Sequence, residues 1–372
     1  MQKRPCAALD QIPSALEKTG FILEYAVGEE FRKAGWVTIG GRYYADDVDG
    51  RARELDLVAY RTRKSKDIEV VTAVLVSCKK DEDTTWCFMT KERPKQDPNY
   101  DWDPVHEWTD VQPLQTYLAS YPWKSGYIKA IGKVYDPTLA PGQDTFAFQQ
   151  VSNQKPVPKN DRAIFDSIVS LMKALDHEKA LLSDRVKGRK RVYLFSLLSV
   201  VDAPLVEVRY SATPPVAKEV ERLTHLARYM VRKRDLTALI HFVRSDVLAP
   251  FIKTLTELSD ESTKHMVSIA AAAFSAIRSD ASVQKYFSTM LAPRLKMHIE
   301  RAIRQGGRPS QAVSLIGLGY ANGTLAINLD IFDDEDLAFL NADKNLRAVT
   351  AKTLKEVARY DGRFAFDFDI PF

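Results

Sequence analysis

Cysteine is scarce: the 372 residues hold three, Cys6, Cys78 and Cys87. An odd number without metal-ligand spacing argues against a disulfide framework and fits a reducing compartment. Long apolar runs are missing too. None approaches the roughly 18 to 20 residues that a bilayer span needs, and no N-terminal stretch has the basic, apolar, small-residue order of a signal peptide. A cytoplasmic protein with no membrane partner is therefore expected. The six histidines, His106, His177, His225, His241, His265 and His298, are scattered without metal spacing, so packing or surface roles are expected of them. The glycines of "GLGYANG" (317–323) are not followed by the Lys-Ser/Thr pair of a phosphate loop. Charge of one sign is also limited. A formal +4 over this length says little by itself about nucleic acid.

What the sequence does have is an ordinary globular composition, 45% hydrophobic and 27% charged, long enough for two domains. From Ile12 to Ala34 the pattern is helical, with Phe21, Glu24, Gly28 and Phe31 at steps of three and four and Gly35 as a stop. Three strands follow: "WVTIG" (36–40), "ELDLVAYR" (54–61) and "IEVVTAVLVSCKK" (68–80), the last almost wholly aliphatic or β-branched, as suits a central strand. "GYIKAIGKV" reads as extended and "RAIFDSIVSLMKALDHEKALLSDR" as helix. "RVYLFSLLSVVDAPLVEVRY" gives two strands around the turn at Asp202, and "DLTALIHFVRSD" gives another. From about Ala249 onward the pattern is amphipathic helix. The expected fold class is α/β or α+β, with a first domain over 1–250 and a mainly helical second domain over 251–372.

Three ionisable residues fall where apolar ones belong. Glu24 lies on the apolar stripe of its helix, and Asp56 sits amid Leu55, Leu57, Val58 and Ala59. Alternation on the third strand puts Ala73, Leu75, Ser77 and Lys79 on one face. An unpaired buried charge is expensive, so Asp56 needs a partner, and Lys79 or a metal ion would serve. One shared site explains all three residues more economically than three separate accidents.

The stretches "LEYAVGEEFRKAGW", "RELDLVAY" and "LVSCKKDEDTTWCF" together resemble the PD-(D/E)XK nuclease superfamily, most of all its branch of modification-dependent type IV restriction enzymes. The resemblance covers about Gly20 to Phe88. It implies a restriction endonuclease-like mixed β-sheet flanked by helices, and a metal-dependent phosphodiesterase, a DNA endonuclease of bacterial restriction or phage-defence type. Asp56 would be the metal-binding aspartate, Glu24 the auxiliary helix carboxylate, and the backbone carbonyl of Cys78 a further ligand. Lys79 would activate or orient the attacking water. Mg²⁺, or Mn²⁺ in its place, is the cofactor such oxygen ligands suit. Ser77 departs from the family, which places Glu or Asp there; its alternative implication is a silenced nuclease fold acting as a nucleic-acid-binding or structural subunit. An acid from Asp46, Asp47, Asp49, Glu54, Asp81, Glu82 or Asp83 would compensate. Lys80, the cluster Lys187, Arg189, Lys190 and Arg191, and the run Arg232, Lys233 and Arg234 are the candidate contacts to a nucleic-acid backbone, DNA before RNA. The C-terminal helices are left for homodimerisation or a partner protein.

Overall fold

A strand with apolar residues at nearly every position needs cover on both faces. The computed structural model, which describes residues 9, 11–17, 19–65, 68–93, 105–120, 123–140, 142–185, 190–211, 213–307, 315–331 and 333–368, provides that cover. Chain order runs α1 (Ile12–Glu17), α2 (Gly20–Lys33), β1 (Val37–Ala45), β2 (Ala52–Lys64), β3 (Glu69–Lys80), β4 (Thr84–Lys91), β5 (His106–Thr109), α3 (Gln112–Ser120), α4 (Trp123–Ile131), α5 (Tyr135–Thr138), β6 (Asp144–Ser152) and α6 (Arg162–Arg185). It continues with β7 (Arg191–Asp202), β8 (Leu205–Arg209), β9 (Val216–Glu219), β10 (Arg222–Val231), β11 (Arg234–Arg244), α7 (Leu248–Ser275), α8 (Ala281–Gln305), β12 (Leu315–Ala321), β13 (Thr324–Leu329), α9 (Asp334–Ala342), α10 (Lys344–Ala358) and β14 (Arg363–Phe368). The architecture is mixed α and β, and the chain divides into two units.

The first unit, Met1–Asp110 with Trp123–His265, is built on a mixed sheet in the order β1-β2-β3-β7-β11-β10, with β5 also paired to β7. β3 lies at its centre, antiparallel to β2 and parallel to β7, and Val70 through Cys78 are all buried. One face packs on α6, whose Ile168, Leu171 and Leu175 join Val58, Leu75, Leu197 and Ile240 in a single core. On the other face the Ser259 hydroxyl of α7 donates to Thr72 Oγ1 of β3 at 2.9 Å, and Trp36 Nε1 donates to Thr256 Oγ1 at 2.9 Å. A second sheet, β6-β4-β8-β9, adds Trp86 and Phe88, both against Phe242.

The second unit, Val111–Pro122 with Met266–Phe372, combines α3, α8, α9 and α10 with the sheet β12-β13-β14. The described residues of 251–372 are mainly helical, and the sheet β12-β13-β14 is an addition that the sequence reading did not include. The strands are short, and β12 turns into β13 at Asn322 and Gly323, both at positive φ (52° and 76°), as a tight hairpin demands. The boundary falls between His265 and Met266 of α7, later along that helix than the expected 250/251, and the segment carrying α3 joins the later unit. Two further differences concern helices. The span from Ile12 to Ala34 is two helices, and Phe21 is exposed while Leu23, Val27, Gly28 and Phe31 form the buried stripe. "GYIKAIGKV" is helical over most of its length, because Trp123, Tyr127 and Ile131 recur at a helical spacing and are all buried. Among the described residues no single helix is long and apolar enough to cross a membrane.

Candidate functional site

The ladder between β2 and β3 runs from Lys64 opposite Glu69 to Leu57 opposite Val76 and then stops. Beyond it, Asp56 supplies a side-chain acceptor where a ladder carbonyl would otherwise stand: its Oδ2 accepts from the Cys78 backbone N–H at 2.6 Å. Within a strand a residue's C=O leaves on the same side as its N–H, so the Cys78 carbonyl also faces β2. Asp56 is therefore oriented by the backbone of the strand that carries Lys79.

Glu24 stands at the margin of the buried stripe of α2, half-buried. Its carboxyl is pushed above the ordinary 4.5 by burial first, then by the like charges of Asp56 and Glu54, with Lys79 opposing. Burial likewise pushes the Cys78 thiol well up, assisted by Asp56 and Glu24 and opposed by Lys79. Glu24, Asp56, Lys79 and Cys78, from α2, β2 and β3, thus share one field at the end of β3. Glu54 also joins it. On the adjoining strand Gly41 holds φ at +61°, and a Cβ built there would lie 3.3 Å from Glu54 Oε1, so glycine suits both the turn of the backbone and the close carboxylate.

Ser77 does not join these groups. It is 1% exposed, its Oγ is buried without a hydrogen-bond partner, and its register neighbour on β7 is Ser199. The hydroxyl of Ser199 accepts from Ser167 of α6 at 2.8 Å, which places the serine level of the sheet in the packed layer. Among the described residues no three His, Cys, Asp or Glu side chains cluster as metal ligands. Mg²⁺ needs no such cage, since it keeps several waters and takes one or two carboxylates. Glu24, Asp56 and the Cys78 carbonyl are the candidate oxygens for that smaller demand, and a divalent cation would relieve the like-charge repulsion that adds to burial in raising Glu24.

The loop acids mostly have other work. Asp46 and Asp47 flank the ammonium of Lys173 on α6, each at 2.9 Å, with all three side chains about nine-tenths buried. Asp49 pairs with Arg53 at 3.0 Å. Asp81 accepts from Thr84, Trp86 Nε1 and Gln150, so it fixes the β3–β4 turn. Glu82 pairs with Lys80 at 2.9 Å. Of these acids Glu54 is the one whose charge acts on Glu24. The sequence offered Glu54 as one of seven acids without choosing among them; its place two residues before Asp56 in "RELD" was the signal that could have singled it out.

The basic residues are distributed differently from expectation. The Lys80 ammonium also donates to the Glu17 carbonyl at 2.7 Å, which ties it to α1. Arg191 pairs with Glu69, and its N–H and that of Lys190 donate to Asp110 at 2.6 and 3.1 Å. Lys79 lies opposite Val201 while Arg191 begins the same strand, so roughly 33 Å of β7 separates them at about 3.3 Å per residue. Arg232 and Lys233, at φ of 48° and 61°, make the β10–β11 turn. The Arg232 N–H donates to Asp47 at 2.7 Å and its guanidinium pairs with Asp176 at 2.9 Å; Lys233 and Arg234 are exposed. Lys187 and Arg189 lie outside the described residues. Lys80, Arg191 and Arg232 are thus engaged in ion pairs, and Lys190 and Arg191 do not flank Lys79. No protein-family model matches this chain, and neither a curated protein nor a solved structure does.

Proposed function

We propose that the protein is a metal-dependent phosphodiesterase acting on DNA, with a first unit of restriction endonuclease type. The observation that carries the proposal is the Asp56 carboxylate held on the Cys78 N–H beside Glu24 and Lys79. In this assignment Asp56, Glu24 and the Cys78 carbonyl hold Mg²⁺ or Mn²⁺. The ion, when bound, polarises the scissile phosphate and lowers the pKa of water. Lys79 orients the attacking water by hydrogen bonding and offsets charge developing on the phosphate. Asp56 keeps its position through the backbone amide, and α2 carries Glu24 to the same place. The helices of the second unit remain available for self-association or a partner protein.

The test is cleavage of plasmid and single-stranded DNA with Mg²⁺ or Mn²⁺. Asp56→Ala and Lys79→Ala are each expected to lower the rate by at least about a hundredfold while leaving the circular dichroism spectrum unchanged. A second proposal, a silenced nuclease fold that binds nucleic acid without cutting it, is favoured by Ser77, a buried and unpartnered serine at the position where the superfamily it resembles places an acid. Wild-type protein that binds DNA with the same affinity with and without Mg²⁺, and cleaves none, would decide for it.

A further inference from the structure

A cavity of about 370 Å³ opens on the α6 side of the first unit's sheet, toward the beginning of β3 and β7. It is remote from Lys79, which stands at the far end of the same strands. Its floor is core: Val58, Val71, Ala73 and Phe195 are each no more than 5% exposed. A concave site of this size with an apolar floor and convergent polar side chains on its rim is the usual form of a small-molecule site. The walls add aromatic surface, since the Tyr193 ring stacks with that of Phe195 at 18° between planes.

The polar rim specifies charge. Arg42 is neutralised by Glu178 at 2.6 Å, and Arg191 by Glu69. Arg185, the last residue of α6, is exposed, lines the cavity and has no ion pair among the described residues. The Tyr193 hydroxyl accepts from Arg191 at 3.4 Å, leaving its own proton for an acceptor in the cavity. An apolar floor, a stacked aromatic wall and one uncompensated guanidinium together suit a flat ring bearing one acidic group.

We infer that this cavity binds a planar aromatic anion, either an aromatic carboxylate or a nucleoside monophosphate, at a site separate from the phosphodiesterase centre. Binding here stands whether or not the chain cleaves DNA.

The experiment is isothermal titration calorimetry of the full chain, without added metal, using adenosine 5′-monophosphate, 1-naphthoate and inorganic phosphate. At least one aromatic probe is expected to saturate one site with a Kd below roughly 1 mM, with inorganic phosphate failing to compete. Saturation by the nucleotide alone would identify the phosphate source, and by 1-naphthoate alone the carboxylate. Arg185→Glu, a surface change, is expected to weaken binding about tenfold or more. Ala73→Leu is expected to abolish it by filling the floor; should that variant misfold, Arg185→Glu carries the test. Absence of saturable binding by both aromatic probes, equal binding of inorganic phosphate, or unchanged affinity in Arg185→Glu would each overturn the inference.

Discussion

Glu24 carries a carboxyl whose charge is disfavoured by burial and again by Asp56 and Glu54. Because its folded pKa is raised above 4.5, the folded chain holds that proton more tightly than the unfolded one. The stability this contributes is complete below the unfolded value and is lost as pH rises through the folded value. Glu24→Gln is therefore expected to be more stable than wild type at pH 7, by under about 1 kcal/mol after solvent screening. The difference should vanish in acid, and Mg²⁺ should stabilise wild type more than the variant. Thermal unfolding at pH 4 and pH 7, with and without Mg²⁺, checks both points; parallel curves would remove Glu24 from the metal assignment. Ser77 makes the opposite case. Its hydroxyl is buried without a partner, so Ser77→Ala is expected to be neutral or to gain about 1 kcal/mol in urea unfolding. Ser77→Glu would bury a carboxylate beside Ser199 in the packed layer and should lose several kcal/mol, roughly 3 or more, instead of restoring a ligand. At this scale Glu24, Asp56 and Lys79 were legible because charges stood at apolar positions. Glu54 was legible only as one of seven candidate acids, since an exposed acid at the start of a strand breaks no pattern that would single it out.

The β1–β2 turn is anchored to α6 by an ion-pair knot that no sequence motif announces. Lys173 lies mid-helix, 6% exposed, between Asp46 and Asp47. Burial by itself would raise the Asp46 carboxyl, but the Val48 amide and the Lys173 ammonium outweigh it and bring it down to about 2. A depressed carboxyl stabilises above its unfolded value near 3.8, and that contribution is lost as pH falls toward about 2. Lys173→Met leaves Asp47 without its ammonium and Asp46 with Arg53 alone, and is expected to cost roughly 3 kcal/mol at pH 7. Much of that loss should be recovered when Asp46→Asn and Asp47→Asn are added, a coupling that urea unfolding of the combined variants would read. Other elements were partly legible. The long apolar β3 and the amphipathic α6 follow their patterns over most of their length. α4 was obscured by Gly126 and Gly132 around β-branched residues, although Trp123, Tyr127 and Ile131 keep the helical step. The hairpin β12–β13 announced itself through Asn322-Gly323, a turn signal that a search for phosphate loops passes over.

At the scale of the molecule, part of the basic charge is used internally. The formal net charge is +4, and several of the cations that sequence clustering offered to nucleic acid are held by acids: Lys80 by Glu82, Arg191 by Glu69, and Arg232 by Asp176. A linear sequence shows which basic residues are neighbours along the chain; the folded sheet decides which acids they meet and at which end of β3 they stand. The half-buried Asp56, by contrast, meets the Cys78 amide of the neighbouring strand, a partner whose position the strand order along the chain already suggested. Lys79, Lys233 and Arg234 remain without ion pairs among the described residues. Since binding to a phosphate backbone weakens with salt in proportion to the phosphates neutralised, a low number of available cations means a shallow dependence. The logarithm of the association constant for a DNA oligonucleotide is expected to fall with the logarithm of salt with a slope of about −2 to −3 between roughly 50 and 200 mM. Fluorescence anisotropy with EDTA present, so that cleavage does not interfere, measures that slope directly. A slope near −8 would show that the paired arginines and lysines release their acids to grip the backbone, or that Lys187 and Arg189 contribute, and it would return the basic runs to the interface.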